Sequence, residues 1–278
     1  MSWLGSIPTE PRGLLALALW GWMLAGCATV DRTDAQALGF VPLATDARIW
    51  LEHGAETYAE RVGAYLDTAV LRVESLHGLA FRSPPKVHVC ATPTCFTRWV
   101  KTPGLTAAVV AENRLVLSPR LHGQEAHRLS GILTYEPSHL HLGQRLGHYT
   151  PWIPVWFYVG LATLAAGGAG AEAVSDRAAY DAWQSGRRVD FNRRDTPGRR
   201  YRADAFGLTI PEFYSQSWRA VELLQAHDAA AFRRWLVSLQ EDGDFHISFA
   251  DDYNSNLSTL ASALFEAAAV QGFQHTHE

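Results

Sequence analysis

The chain has 278 residues, 47% hydrophobic and 19% charged, which describes a globular protein with enough length for one or two domains around a proper core. A net charge of −4 offers no sign of the basic surface on which nucleic-acid binding depends, and no nucleic-acid partner is expected.

The first element is a short apolar run. Arg12 precedes Leu14 to Leu24, a stretch too short and wrongly flanked for a membrane-spanning helix, and the run ends Leu24-Ala25-Gly26-Cys27. That ending resembles a bacterial lipobox. The resemblance implies that residues 1–26 are a lipoprotein signal peptide and that Cys27 receives the lipid. Ala28, standing where Asp would retain a Gram-negative lipoprotein, implies sorting to the outer membrane. The expected location is therefore the bacterial cell envelope, lipid-anchored and facing the periplasm, with the membrane as partner and residues 27–45 as tether.

From Arg48 to His77 runs a long helical pattern with Tyr58, Val62, Tyr65, Leu66, Ala69 and Val73 as one stripe. Lys86 to Cys90 and Ala107 to Ala111 read as strands around a short helix carrying Phe96 and Trp99. With Cys27 lipidated, Cys90 and Cys95 remain; in an oxidising compartment they are a candidate disulfide, the alternative being two unpaired small hydrophobic side chains. Asn113 to Pro119 alternates apolar and polar residues and reads as a strand ended by proline, so that Leu115 to Leu117 completes a small sheet. Gln124 to Gly143 reads as a helix with Leu129, Ile132, Leu133, Leu140 and Leu142 apolar, and Pro154 to Thr163 as a second. Trp152 to Ala171 contains no charge, but Pro154, the Gly167-Gly168 pair, Gly170 and flanks without positive charge point to a helix buried in the core. Arg187, Arg188, Arg193, Arg194, Arg199, Arg200 and Arg202 then form a basic loop, partly offset by Asp190, Asp195 and Asp204. It reads as a solvated surface loop, with contact to an anionic envelope surface as the alternative. Phe213 to His227, Asp228 to Leu239 and Ser255 to Gln271 are three further helices. Strands first and helices later predict an α+β fold over 46–278, with a sheet-containing part 46–145 and a helical part 146–278.

Within the first central helix, residues 135–139 read Tyr135-Glu136-Pro137-Ser138-His139, and the second opens Pro154-Val155-Trp156-Phe157-Tyr158-Val159-Gly160-Leu161-Ala162. A strand, a helix of this kind and a helix with this opening are together similar to the gluzincin, or peptidase-MA-like, zinc metallopeptidases. The resemblance covers Leu115 to Ala162 and continues more loosely through Phe213-Tyr214-Ser215-Gln216-Ser217-Trp218. In that family His-Glu-x-x-His places two histidines on one helix face to hold zinc, and its Glu is general base on the metal-bound water. The third ligand is the Glu before Gly-Leu-Ala. Carried over by position, Glu136 is the general base, His139 the second ligand, Tyr135 the first-ligand position and Val159 the third. The resemblance also implies a zincin-like fold, with an edge strand over the motif helix, and makes Tyr214 a candidate oxyanion donor. The other reading of Tyr214 is an aromatic packed at a helix start.

Three residues depart from the family pattern. Valine at 159 has no lone pair, and Tyr135 would have to lose a proton whose ordinary pKa is about 10 before it could ligate. Pro137 removes a helix hydrogen bond at a cost of about 3 kcal/mol and disfavours helical backbone at Glu136, so Tyr135 and His139 are expected to lose their stacking. Glu136 is then expected to be a buried carboxylic acid with a raised pKa. His141 lies on another helix face from His139; His127, His148, Tyr158, Glu172 and Asp176 are other donors, none at i+4 spacing, and His275 and His277 read as tail. The site reads as degenerate. The expected function is a non-catalytic pseudo-peptidase that binds a peptide or an envelope protein in its cleft, with no cofactor. The alternative is a working Zn2+ peptidase with Glu136 as base and an altered ligand set. A third reading is a structural protein whose cleft Tyr135, Tyr158 and Val159 fill.

Overall fold

The computed structural model describes residues 35–36, 38–100, 107–111 and 113–274, so Cys27 with its lipobox, and His275 and His277, lie outside the described residues. The chain divides into two compact units, Met1–Phe40 and Val41–Glu278, and both hydrophobic cores lie within the second. The strands are β1 (Phe40–Leu43), β2 (Asp46–Glu52), β3 (Val87–Val89), β4 (Ala108–Ala111) and β5 (Arg114–Leu117), arranged β1-β2-β3-β5-β4. Helix α1 (Glu56–His77) follows β2 and the short α2 (Pro93–Thr97) follows β3. Two 3-10 turns lead into α3 (Leu129–Leu146), which is followed by α4 (Val155–Ala165), α5 (Asp176–Gln184), α6 (Ile210–His227), α7 (Ala229–Asp242), α8 (Phe245–Tyr253) and α9 (Leu257–Gln274). The fold is α+β, with a small mixed sheet interrupted by α1 and α2 and the remaining helices after it.

The sheet's centre is parallel. β3 lies between β2 and β5, and its residues and those of β5 are buried on both faces, including the polar His88 and Arg114. β4 runs antiparallel to β5, with Val109 opposite Val116, and is one edge, β1 being the other. One core lies between the sheet and helices α1 and α3, with Ile49, Leu51, Val62, Leu66, Val87 and Leu133 among its members. The second is helical and aromatic. In it the Trp235 ring meets Phe157 at 4.7 Å and Phe249 at 4.9 Å, and its Nε1 donates to the Phe245 carbonyl at 3.3 Å.

Two expectations are corrected at the amino-terminal end. Arg48 to His77 is not one helix: Arg48–Glu52 belongs to β2, where Ile49, Trp50 and Leu51 pair with Val87, His88 and Val89. Alternation decides the matter. Ile49 and Leu51 face the core under α1, while Trp50 stacks on His88 across the other face at 6.5 Å. Gly54, at φ 92°, makes the turn into α1 that a side chain would resist. Likewise β1 falls inside residues 27–45, so the sheet begins within the segment read as tether.

Among the described residues no helix is long and apolar enough to cross a membrane; α4 is 11 residues long and almost wholly buried. The basic loop after α5 is only partly solvated. Asp195 is 3% exposed and accepts from the Val155 amide at 3.0 Å and the Tyr201 amide at 3.3 Å, tying the loop to the start of α4.

Candidate functional site

Helix α3 runs unbroken through Pro137, and the Tyr135 and His139 rings stay in edge-to-face contact with centroids 4.7 Å apart. The expected separation of those two side chains is therefore corrected. Proline's cost of about 3 kcal/mol is outweighed because α3 buries Leu133, Leu140, Leu142 and Leu146, each worth about 1.5–3 kcal/mol.

Around this turn the side chains converge. Tyr158, from α4, lays its ring flat on His139 at 4.0 Å and 13°, and its hydroxyl donates to the His139 carbonyl at 3.4 Å. His139 is 12% exposed, and burial pulls its pKa down to about 3 against a main-chain hydrogen bond at Tyr158, so the ring is neutral. Its Nδ1 stands 3.8 Å from Glu136 Oε2, too far for a hydrogen bond, and its Nε2 is buried with no partner among the described residues. Glu136 is 14% exposed, and burial raises its carboxyl to about 7. Tyr135 stacks on Tyr214 of α6 with centroids 6.1 Å apart. Burial, then the neighbouring Tyr214 and Glu136, hold the Tyr135 phenol well above its ordinary value. Tyr214 is brought here by a well-made helix start, in which Thr209 and Glu212 form a reciprocal capping box.

These residues do not fit a zinc centre of three protein ligands. Tyr135 keeps its proton, Val159 is 7% exposed and packs into the helical core, and Glu136 is protonated for half the population near neutrality. Among the described residues, ligand atoms of three His, Cys, Asp or Glu side chains come together only at Glu52, Cys90 and Cys95. There the two cysteines are joined as a disulfide, with Cα atoms 5.6 Å apart, and the Glu52 carboxylate accepts from the Ala91 and Thr92 amides at 2.8 Å each.

Beside Glu136 lies an open cleft of about 840 Å³. Its walls are Tyr65 and Arg72 of α1, Ala108 at the start of edge strand β4, Tyr135 and Glu136 of α3, the Gly167–Gly170 turn after α4, and Tyr214. The Arg72 guanidinium rests on the bare backbone of Gly167, where a Cβ would meet Nη2 at 2.9 Å, and Arg72 has no carboxylate partner among the described residues. Comparison of this chain with protein-family models, with curated proteins and with solved structures returns no match.

The remaining expected donors scatter. His141 turns away into a buried chain: its Nδ1 is 3.0 Å from His77 Nδ1, and His77 Nε2 is 2.9 Å from Ser138 Oγ. His148 lies against Tyr149 with the rings tilted by 38°, outside the cleft, and Asp176 pairs with Arg219. His127 and Glu172 do line the cleft, the latter accepting from the Gly170 amide at 2.7 Å. Sequence reasoning missed Arg72, although Tyr65, Thr68, Ala69 and Arg72 share one face of α1 at helical spacing and all line the cleft. Tyr65, counted there as core, is 44% exposed.

Gly160 fixes how closely α4 and α6 cross beneath this site, since a Cβ there would lie 2.2 Å from the Ser217 carbonyl oxygen. Gly160→Ala is expected to destabilise by about 3 kcal/mol, because backbone rather than a flexible side chain must give way. Urea unfolding measures it; a loss under about 1 kcal/mol would mean that the two helices re-space freely.

Proposed function

We propose that this chain is an envelope lipoprotein whose fold is zincin-like and related to the gluzincins, that it has lost the catalytic zinc, and that it keeps the cleft to bind a peptide or an envelope protein. The observation that carries the reading is the covering of His139 by Tyr158 beside a cleft that stays open along Glu136 and Tyr214. The edge strand β4 over the motif helix α3 supports the zincin-like part, and the Cys90–Cys95 disulfide supports an oxidising compartment. The anchor at Cys27 and the outer-membrane location rest on Leu24-Ala25-Gly26-Cys27 and Ala28. A carboxylic acid that still holds its proton near neutrality is a hydrogen-bond donor, as is the Tyr214 hydroxyl, so the cleft wall offers two donors to a peptide's carbonyl groups. Arg72 adds a cation.

The alternative is a working zinc peptidase with Glu136 as base, and one observation favours it: the buried, partnerless Nε2 of His139. Metal content decides between the two. Protein spanning residues 28–278, incubated with excess zinc and desalted, is expected to retain almost none by mass spectrometry. Stoichiometric zinc that disappears in His139→Ala would restore the peptidase.

A further inference from the structure

Away from the cleft, residues Arg187 to Asp204 hold seven arginines and three aspartates, a local +4 in a chain of net −4. Four of the seven are matched. Arg187 meets Glu212 at 2.9 Å, Arg188 meets Glu266 at 3.9 Å, and Arg193 and Arg200 meet Asp190 and Asp195 at 3.4 Å each. Arg194, Arg199 and Arg202 are exposed and make no salt bridge among the described residues. Arg199 lies 5.2 Å over the Tyr201 ring, and Arg202 is near enough to Asp195 to offset part of the rise that burial gives its pKa.

The surface beside them is apolar where it should not be. Trp152 is 49% exposed, Tyr149 46% and Ile247 62%. Contacts make these one face with the arginines. Arg200 donates to the Pro151 carbonyl, next to Trp152. The Tyr149 ring lies 3.1 Å from where a Cβ on Gly243 would stand, at the turn that leads to Ile247. Arg194, His246 and Ile247 line a single hollow of about 430 Å³. Of the loop's own acids, Asp190 and Asp195 are held by Arg193 and Arg200, and Asp204 is exposed. Asp251 sits at the same hollow, and Asp244 is engaged in capping the His246 and Ile247 amides at 3.0 and 2.9 Å.

The geometry points to this face as a membrane-docking surface that seats the protein on an anionic phospholipid bilayer. Indole and phenol rings settle at the headgroup level, an aliphatic side chain enters the acyl boundary, and unpaired guanidinium groups are drawn to anionic headgroups. A soluble polyanion would reward the arginines but not Trp152 and Ile247, which is why the bilayer is the better fit. The inference stands apart from the cleft and from the lipid at Cys27.

Protein spanning residues 28–278 has no lipid anchor and contains the whole compact unit Val41–Glu278, with both cores. It is sedimented with vesicles of phosphatidylcholine alone or mixed with phosphatidylglycerol. Binding is expected to the mixed vesicles only and to weaken as salt rises. Reversing Arg194, Arg199 and Arg202 together to Glu is expected to weaken it by about a hundredfold or more, at about fivefold per arginine removed. Ile247→Ser, at the most exposed of the three apolar positions, is expected to weaken binding at every salt concentration without changing the melting temperature. Equal binding to both vesicle types, no binding, or binding that the triple variant keeps would each overturn the proposal. So would retention on heparin without vesicle binding, which would assign the face to a soluble polyanion.

Discussion

Glu136→Gln is expected to stabilise the protein by about 3 kcal/mol near pH 8 and to change it little near pH 4. The carboxyl is buried on α3, its folded pKa is raised to about 7, and burial is the cause. A carboxyl raised in this way binds its proton more tightly folded than unfolded. Its contribution is complete below the unfolded value of about 4.5 and is lost as pH climbs to about 7, beyond which the folded state holds a desolvated charge. Glutamine has the same shape and no charge at any pH, so the difference between the two proteins should open across that window. Urea unfolding of both at the two pH values measures it. A gain of equal size at both would mean that the Glu136 carboxyl is solvated in the folded state. The retained carboxyl is also a clue to use: a group that destabilises the fold yet lines the cleft is placed as a functional group would be.

Much of the scaffold behind Glu136 was legible in the sequence. Leu129, Leu133 and Leu140 recur at helical spacing and do face the core from α3, and the apolar run after Pro154 is the buried α4. The strand β2 was not legible as a strand because Ile49 and Leu51 fall in with the apolar residues of the helix that follows, and only Gly54 separates them. The short α8 carries no long period to read, whereas α5 announced itself through Ser175, whose side chain caps the Ala178 amide, and this was missed. At the site, it was plain from residue type alone that Val159 offers no ligand atom and Tyr135 only a phenol. The lid on His139 was not. Tyr158 adjoins Val159 in sequence but leaves the helix about 100° away, and only the crossing of α3 and α4 brings its ring over the imidazole. The same holds for Arg72 and Tyr214, which meet at the cleft from α1 and α6 through tertiary packing. Nor does a proline inside a helix say how much buried surface the rest of that helix brings to offset it.

Below about pH 6.5 the protein is expected to lose stability steeply, because the buried imidazoles of His77, His88, His139 and His141 must stay neutral in the folded state. Burial holds His88 down to about 3. The hydrogen bonds at His77 and His141 allow one arrangement. His141 Nε2 is 2.8 Å from the Leu79 carbonyl, an acceptor only, so that nitrogen carries the proton and its Nδ1 accepts from His77 Nδ1. His77 Nε2 then accepts from the Ser138 hydroxyl. Protonating His141 would set two N–H groups against each other, and protonating His77 would bury a charge beside Ser138, in a site with no exposed surface. Burial lowers the pKa of His77, His141 and His139, the last to about 3. Because the unfolded chain binds these protons first, stability is complete above about pH 6.5 and falls below it by up to about 1.4 kcal/mol per pH unit for each proton, down to about pH 3 for His139. Glu136 opposes this with a single proton between about 7 and 4.5, so the net slope keeps the sign set by the histidines. His139→Phe keeps a ring under Tyr158 and removes one titrating group. Its stability, followed by urea unfolding, should therefore fall less steeply than wild type by about 1.4 kcal/mol per pH unit between about pH 6 and pH 4. Parallel slopes would show that His139 takes up its proton inside the folded protein, and that Tyr158 does not seal it. A domain with a margin of about 5–15 kcal/mol gives up a large share of it to such a loss, so a urea midpoint that moves down as pH falls is the outcome that these buried imidazoles dictate.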